Sequence, residues 1–286
     1  MRPVTLGRMT VQKVFEMESG PPMPLILPGI TAQDLRRLAA WYRDETLGPT
    51  PEQSAFTMSM HSYVLQLDGL TVLIDACNGE HKRRSIPDVD RVETPFLANL
   101  ATLGLTTNDI DLVLCTHLHF DHVGWNTRLE NGKWVPTFPN ARYLIGRTEY
   151  DHWRDAQEGE TVEIMNDSVE PIFDAGLAQT VAMDHRVSPE IRLVPTPGHT
   201  PGHVSVMIES RGETAIITGD MIHHPCQFGR PDWLSMFDAD QGAANARRHT
   251  MFNEWADKPW LIIGTHFAAP TAGHIKRDGA GYRFEA

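Results

Sequence analysis

The chain has 286 residues, a formal net charge of −12, 41% hydrophobic and 22% charged residues. Those fractions are ordinary for a soluble globular protein, and a chain this long buries roughly 75% of its unfolded surface without a covalent staple. So acidic a chain is a poor partner for nucleic acid or an anionic membrane, and no apolar run approaches the roughly 20 residues that cross a bilayer.

In chain order, RMTVQKVFEM has strand character and GPPMPLILPG reads as an extended Pro/Gly loop. TAQDLRRLAAWYRDE predicts a helix at about 31–45, with Thr31 as N-cap, Asp34 three residues on, and apolar residues at helical spacing. FTMSMHSYVLQLDGLTVLIDA predicts two strands around the turn pair Asp68-Gly69, the second ending at Asp75. Residues 78–95 are polar and irregular, and a short helix follows at about 95–103. GLTTNDIDLVLCTH is a turn, a capped half-turn and a buried strand that ends at His117. ARYLIGRTEYDHW is strand then helix, and 155–180 is ambiguous. EIRLVPTPGHTPGHVSVMIES reads strand, loop, strand, and ETAIITGD is a strand ending in Asp220. FDADQGAANARRHTMFNEWADK is a helix, PWLIIGTHF a strand ending in His266, and GHIKRDGAGYRFEA a terminal hairpin around Asp278-Gly279. With no repeat, low-complexity tract or clear linker, one domain over 1–286 is expected, residues 1–55 forming an N-terminal extension.

The three cysteines, Cys77, Cys115 and Cys226, form no CxxC pair, which fits a reducing, cytoplasmic setting. The N-terminal stretch lacks the apolar core of a secretory signal.

The 14 histidines are unevenly placed. Between Cys115 and Gly124, CTHLHFDHVG sets His117, His119, Asp121 and His122 at the end of an apolar strand. Three later strands end the same way, in His199, Asp220 and His266. Strand ends on one sheet edge converge, and α/β proteins put their sites at such edges. This many nitrogen and oxygen donors exceeds what one tetrahedral ion uses and suits two divalent ions sharing a carboxylate. Imidazole and carboxylate donors without thiolate favour Zn²⁺, with Mn²⁺, Co²⁺ or Fe²⁺ as alternatives. A lone histidine is more often a surface or satisfied core residue, but this clustering is hard to explain that way.

HLHFDH, followed by His199, Asp220 and His266, resembles the HxHxDH signature and later ligands of the metallo-β-lactamase superfamily, from about residue 57 onward. The resemblance implies a layered α+β or α/β architecture, an αββα sandwich. It implies that His117, His119 and His199 hold the first metal, that Asp121, His122 and His266 hold the second, and that Asp220 bridges them. Asp75 matches a supporting aspartate that is not a ligand. His119 in place of glutamate disfavours the di-iron flavoproteins, and Asp220 in place of cysteine disfavours the main zinc β-lactamases. No long helical extension follows His266, which weakens glyoxalase II, and the acidic charge weakens the nucleases. GTHFAAP and GHIKRDGAGYRF look similar to methyl parathion hydrolase and its lactonase relatives.

The expected function is therefore a dinuclear hydrolase using a bridging hydroxide on a lactone or carboxylic ester. The alternative is an organophosphate triester hydrolase; a β-lactamase-like amidase or a non-catalytic metal-binding protein ranks below both. Asp121 is the expected proton shuttle. His223 stands where acyl-homoserine lactonases commonly carry a tyrosine, and an imidazole there could hydrogen-bond a carbonyl oxygen. Phe120, Trp125, Phe228, Trp233 and Phe267 lie beside ligand positions and are expected to line a pocket for a neutral or apolar small molecule, although core packing is the commoner role of any single aromatic. The helix at 31–45, with Trp41, could cover the site or serve a homodimer interface.

Overall fold

The computed structural model describes residues 1–39, 46–156 and 158–286. The chain divides into two compact units: Met1, Glu18–Ser59 and Arg186–Ala286 form one, Arg2–Met17 and Met60–His185 the other.

The unit built around Met60–His185 carries a seven-stranded mixed sheet in the order Val4–Leu6, Met9–Ser19, Met58–Leu67, Leu70–Ile74, Leu112–Leu114, Arg142–Gly146, Ala178–Val181. The expected hairpin is present: Leu67 pairs with Leu70, and Asp68 and Gly69 take φ of 45° and 86°. A tight turn of this kind needs left-handed backbone at both positions, which Asp and Gly supply at least cost. Beyond it the strands run parallel, Leu73 beside Val113 and Leu114 beside Leu144. Strands buried on both faces read as unbroken apolar runs, as LVL at Leu112–Leu114 does. Val64, Leu73, Val113, Tyr143 and Ile145 pack with Phe96, Leu100, Trp125 and Phe138 to make this unit's core.

The other unit carries a six-stranded sheet in chain order, Ile191–Pro195, Val204–Ser210, Glu213–Ile217, Leu261–Ile263, Ala272–Asp278, Gly281–Glu285. Its single parallel step, Ile216 beside Ile262, is bridged by the helix Gln241–Trp255. Asp240 caps that helix by accepting the Ala243 N–H at 2.9 Å. Met251, Phe252 and Trp255 seat the helix on Met207, Ile216, Ile262, Phe267 and Phe284.

Several expectations need correction. The proline-rich GPPMPLILPG is not wholly extended: Met23–Ile26 forms one helical turn, with Pro22 just ahead of it, and Met23, Ile26 and Leu27 are buried. The helix expected over 31–45 begins where its capping box places it, Thr31 Oγ1 accepting the Asp34 N–H and Asp34 accepting the Thr31 N–H, and runs Ala32–Leu38. Residues 40–45, Trp41 among them, lie outside the described residues. The ambiguous 155–180 resolves into the helix Glu160–Ile164, a π-helical turn Met165–Val169, the helix Glu170–Asp174 and the strand Ala178–Val181. A hairpin of Thr127–Glu130 and Lys133–Pro136 was not anticipated, although its turn pair Asn131-Gly132 is a strong hairpin signal. The polar stretch 78–95 is irregular as expected, yet it buries two cations. Arg84 grips Asp167 with Nη1 and Nη2, at 2.7 and 3.0 Å. Lys82 donates to Thr127 Oγ1 at 2.8 Å and lies 3.7 Å from the Trp134 ring centre. Among the described residues no helix is long and apolar enough to cross a membrane.

Candidate metal centre

In the unit around Met60–His185, the strand Leu112–Leu114 delivers Cys115, Thr116 and His117 beside Asp75. Asp75 sits at the end of its own strand with φ of 57°. Its carboxylate accepts the Thr116 N–H at 2.7 Å and hydroxyl at 2.9 Å, and the His122 Nδ1–H at 3.0 Å. Holding Nδ1 in this way fixes the tautomer of His122 and aims Nε2 as the ligand atom. The backbone turns helical at Phe120–Val123, which brings His122 Nε2 within 3.7 Å of Asp121 Oδ1. His117 Nε2 and His119 Nδ1 stand 3.0 Å apart. His117 and His122 are fully buried, and His119 packs edge-on against Trp153. Glu149 supports this loop by accepting the Leu118 N–H at 3.1 Å and the Trp153 indole N–H at 2.8 Å.

A second layer of support comes from far away in sequence. Glu16 is buried, and its carboxylate accepts from Asn78 N and Nδ2, both at 2.8 Å, and from the Trp125 indole at 2.7 Å. Burial pushes the Glu16 carboxyl up to about 7, against the downward pull of those hydrogen bonds. It thereby ties the loop after Asp75 to the segment after His122. The two segments also meet through backbone, Ala76 N to His122 O at 2.7 Å and Gly124 N to Cys77 O at 2.7 Å. A Cβ on Gly124 would lie 1.8 Å from Asn78 O, so only glycine allows this approach.

The other unit assembles its own donor set around Asp220. Gly219, with φ of 55°, turns the chain after the strand Glu213–Ile217. A Cβ there would lie 2.6 Å from His203 Nε2, and the vacant space lets that imidazole accept the Asp220 N–H at 2.8 Å. The His203 proton then sits on Nδ1, which faces Thr196 Oγ1 at 2.8 Å. With its backbone so fixed, Asp220 directs Oδ2 at three imidazole Nε2 atoms: His266 at 3.0 Å, His223 at 3.4 Å and His199 at 3.5 Å. His199 Nδ1 faces Asp238 Oδ1 at 3.4 Å, and Asp238 Oδ2 accepts from Arg248 Nη2 at 2.9 Å and from Ser235 N at 3.1 Å. Burial pushes the Asp238 carboxyl up, but the hydrogen bond to His199 and the Arg248 guanidinium prevail and hold it well below the usual carboxylate range.

The set around Asp220 fits a divalent ion. Donors about 2.0–2.1 Å from a tetrahedral ion stand about 3.3 Å from one another, close to the spacings around Asp220 Oδ2. The donors are nitrogen and oxygen atoms without thiolate, buried except at the half-buried His119 and Asp121, and two of the histidines have their outer nitrogen held by a carboxylate, as metal-bound imidazoles commonly do. Residues 59–275 match the profile of the metallo-beta-lactamase superfamily. This chain belongs to that superfamily. Among relatives of the metallo-β-lactamase chain, an N-acyl homoserine lactonase from Bacillus sp is 28% identical over 150 residues, 52% of this chain and 53% of that protein. A probable metallo-hydrolase from Mycobacterium bovis is 30% identical over 194 residues, 62% and 61% of the two chains. The chain spans about half the length of the first of these curated relatives. Two solved structures share the fold. The dizinc quorum-quenching lactonase AidC superposes with a TM-score of 0.80 at 21% identity, over 99% of this chain and 96% of that one. The hydrolase AbOPH gives 0.81 at 24%, over 99% and 95%. The metallo-β-lactamase fold expected from HLHFDH and its later partners is thus the fold found.

The aromatic residues singled out in the sequence occupy different surroundings in this metallo-β-lactamase chain. Trp125 stacks on Phe96, ring centres 5.4 Å apart, inside the core. Phe228 and Phe267 are fully buried and pack on Phe284, so their rings present no surface to a ligand. Phe120 is half-buried against the core of its unit. Trp233 helps line a cavity of about 580 Å³ with Asp34, Arg37, Arg230, His249 and Tyr282. Sequence reasoning missed Glu16, Glu149, His203, Asp238 and Arg248. The doubled PGH in TPGHTPGH could have flagged His203; no local signal marks the others.

Proposed function

We propose that the two donor sets serve one dinuclear centre and that the chain hydrolyses the ester bond of a lactone. His117, His119 and His199 would hold one ion, Asp121, His122 and His266 the other, and Asp220 both, with zinc the preferred metal for these donors. The observation that carries the reading is the complete ligand set of the superfamily, with Asp75 and Asp238 each holding the outer nitrogen of a buried histidine. The lactone preference rests on the curated relatives named as N-acyl homoserine lactonases.

Two divalent ions, when bound, polarise a carbonyl oxygen and lower the pKa of water from 15.7 toward about 7. The chain's own residues orient and move protons. Asp121, partly exposed, receives the proton released as water adds to the carbonyl carbon. It returns that proton to the ring oxygen when the acyl C–O bond breaks, so the lactone opens to a hydroxy acid. Phe237 offers the apolar contact that the buried aromatics cannot. It is 37% exposed, and its ring centre lies 6.1 Å from that of His223. Leu25 and Met236 are also exposed, and Met236 N donates to Ile26 O at 3.1 Å, which places them on one surface. An acyl chain attached to the lactone would rest there.

The test is metal content measured on the same preparation as turnover of acyl lactones, aryl esters, methyl parathion and a chromogenic cephalosporin. Two ions per chain with lactone turnover lost on chelation supports the reading. A metal-loaded protein that cleaves only the phosphotriester or only the β-lactam replaces it.

A further inference from the structure

His223 is buried to 1% exposure, yet neither of its ring nitrogens has a hydrogen-bond partner among the described residues. Removing an imidazole from water without giving it a partner is costly, so a buried one is normally satisfied by something. What it faces is specific. Its Nε2 lies 3.4 Å from Asp220 Oδ2, and the ligand atoms of His199, Asp220 and His223 all lie within 4.8 Å of one another. Its ring is parallel to that of His266 within 1°, at 5.9 Å, and 4.9 Å from that of His199. All of these residues belong to one compact unit.

The loop around His223 is held by other groups, which frees the ring from a structural hydrogen bond. Gln227 Oε1 accepts the His223 N–H at 2.8 Å and the His224 N–H at 3.3 Å. His224, equally buried, is engaged differently. Its Nδ1 accepts the Cys226 N–H at 3.2 Å, and its ring packs on Phe56 at 4.4 Å. One neighbouring imidazole is thus bonded within the loop, whereas the other presents Nε2 to the oxygen that His199 and His266 also face. The separation of His223 Nε2 from Asp220 Oδ2 matches that of His199 Nε2, and both match the roughly 3.3 Å between donors on one tetrahedral ion.

We infer that His223 is an additional metal donor, ligating through Nε2 the ion that His199 and Asp220 hold, rather than a group reserved for substrate. The inference rests on the proposed dinuclear reading and extends it. A further imidazole on that ion raises its coordination number and its retention, and it withdraws His223 from direct contact with a carbonyl oxygen.

The experiment compares the wild-type protein with His223→Gln and His224→Gln, each loaded with Co²⁺. X-ray absorption counts imidazoles per metal, and chelator competition gives the affinity of each site. Thermal melts of the metal-free proteins establish that all three fold. His223→Gln is expected to lose one imidazole from the count and to hold its weaker ion at least about 10-fold less tightly, the scale on which changes in a ligand shell act. His224→Gln is expected to match the wild type in both. If His223→Gln keeps the wild-type imidazole count and affinity while lactone turnover falls, His223 contacts substrate and the inference is overturned, with the dinuclear reading intact. If His224→Gln weakens metal as much as His223→Gln, the effect comes from the loop and the inference also fails. A wild-type protein that binds no Co²⁺ overturns both readings together.

Discussion

Asp75 and Asp238 act alike in different units. Each carboxylate takes the outer nitrogen of one histidine, His122 or His199, and so decides which nitrogen is left for a metal. Asp238 is itself held ionised, against its burial, by the hydrogen bond to His199 and by Arg248. Asp238→Asn is expected to weaken metal binding by about 10- to 100-fold, read by chelator competition, with unaltered affinity counting against the role. Glu16 invites a pH measurement. Its carboxyl is raised from an ordinary 4.5 to about 7, so between those values the folded state holds a proton that the unfolded state has lost. The Glu16 contribution to stability is therefore complete below about pH 4.5 and is lost as pH rises through about 7. Glu16→Gln, which cannot titrate, should gain melting temperature relative to the wild type as pH rises from 5 to 8; a constant difference would show that Glu16 stays ionised throughout. At the exposed surface, Phe237→Ala should raise KM for long-chain acyl lactones more than for short ones, with kcat little changed. Equal effects on both would remove Phe237 from the acyl contact.

The element that matters most is the pair of segments after Asp75 and after His122, which close on each other through backbone hydrogen bonds as well as through Glu16. Gly124 makes this possible, since a Cβ would run into Asn78 O at 1.8 Å. The backbone at Gly124 has φ of −57°, so the requirement is for space and not for left-handed freedom. Gly124→Ala should destabilise by well over the roughly 1 kcal/mol of a typical point mutation, visible as a lowered melting temperature or loss of soluble protein. A variant that melts like the wild type would mean the segments can part without cost. The helix Ala32–Leu38 and the helix Gln241–Trp255 start where their capping residues Thr31 and Asp240 stand, because a cap is a contact over three residues and is written locally.

At the scale of the whole molecule, the ligands come from widely separated stretches of chain, so metal and fold should be coupled. An ion present at about 1,000 times its dissociation constant adds about 4 kcal/mol to stability. For a chain of this size that amounts to a melting shift on the order of 10 °C. Chelation should lower the melting temperature accordingly and added zinc should restore it, as differential scanning calorimetry would show. A melting temperature indifferent to chelator would mean that the donors are held together without an ion.

The candidate donors stand out in the sequence because ligand chemistry is local. HLHFDH compresses His117, His119, Asp121 and His122 into one strand-to-helix turn, and the remaining donors each follow an apolar strand. The Asp68-Gly69 hairpin and the Thr31 cap were legible for the same reason, a turn or a cap being complete within a few residues. What surrounds those residues was not. Glu16 meets Trp125 across 109 positions, Asp238 meets His199 across 39, and Arg230 meets Asp34 across 196. Phe228 lies in the helical turn Cys226–Gly229 and Phe267 directly follows His266, yet both rings turn into the core and pack on Phe284, a contact with a segment distant from either. Sequence alone marked residues able to hold a metal and the family whose pattern they match. Only the tertiary structure decided which carboxylate orients each histidine, which aromatic stays exposed, and that the His223 imidazole is buried facing Asp220, since those depend on which distant segments burial brings together.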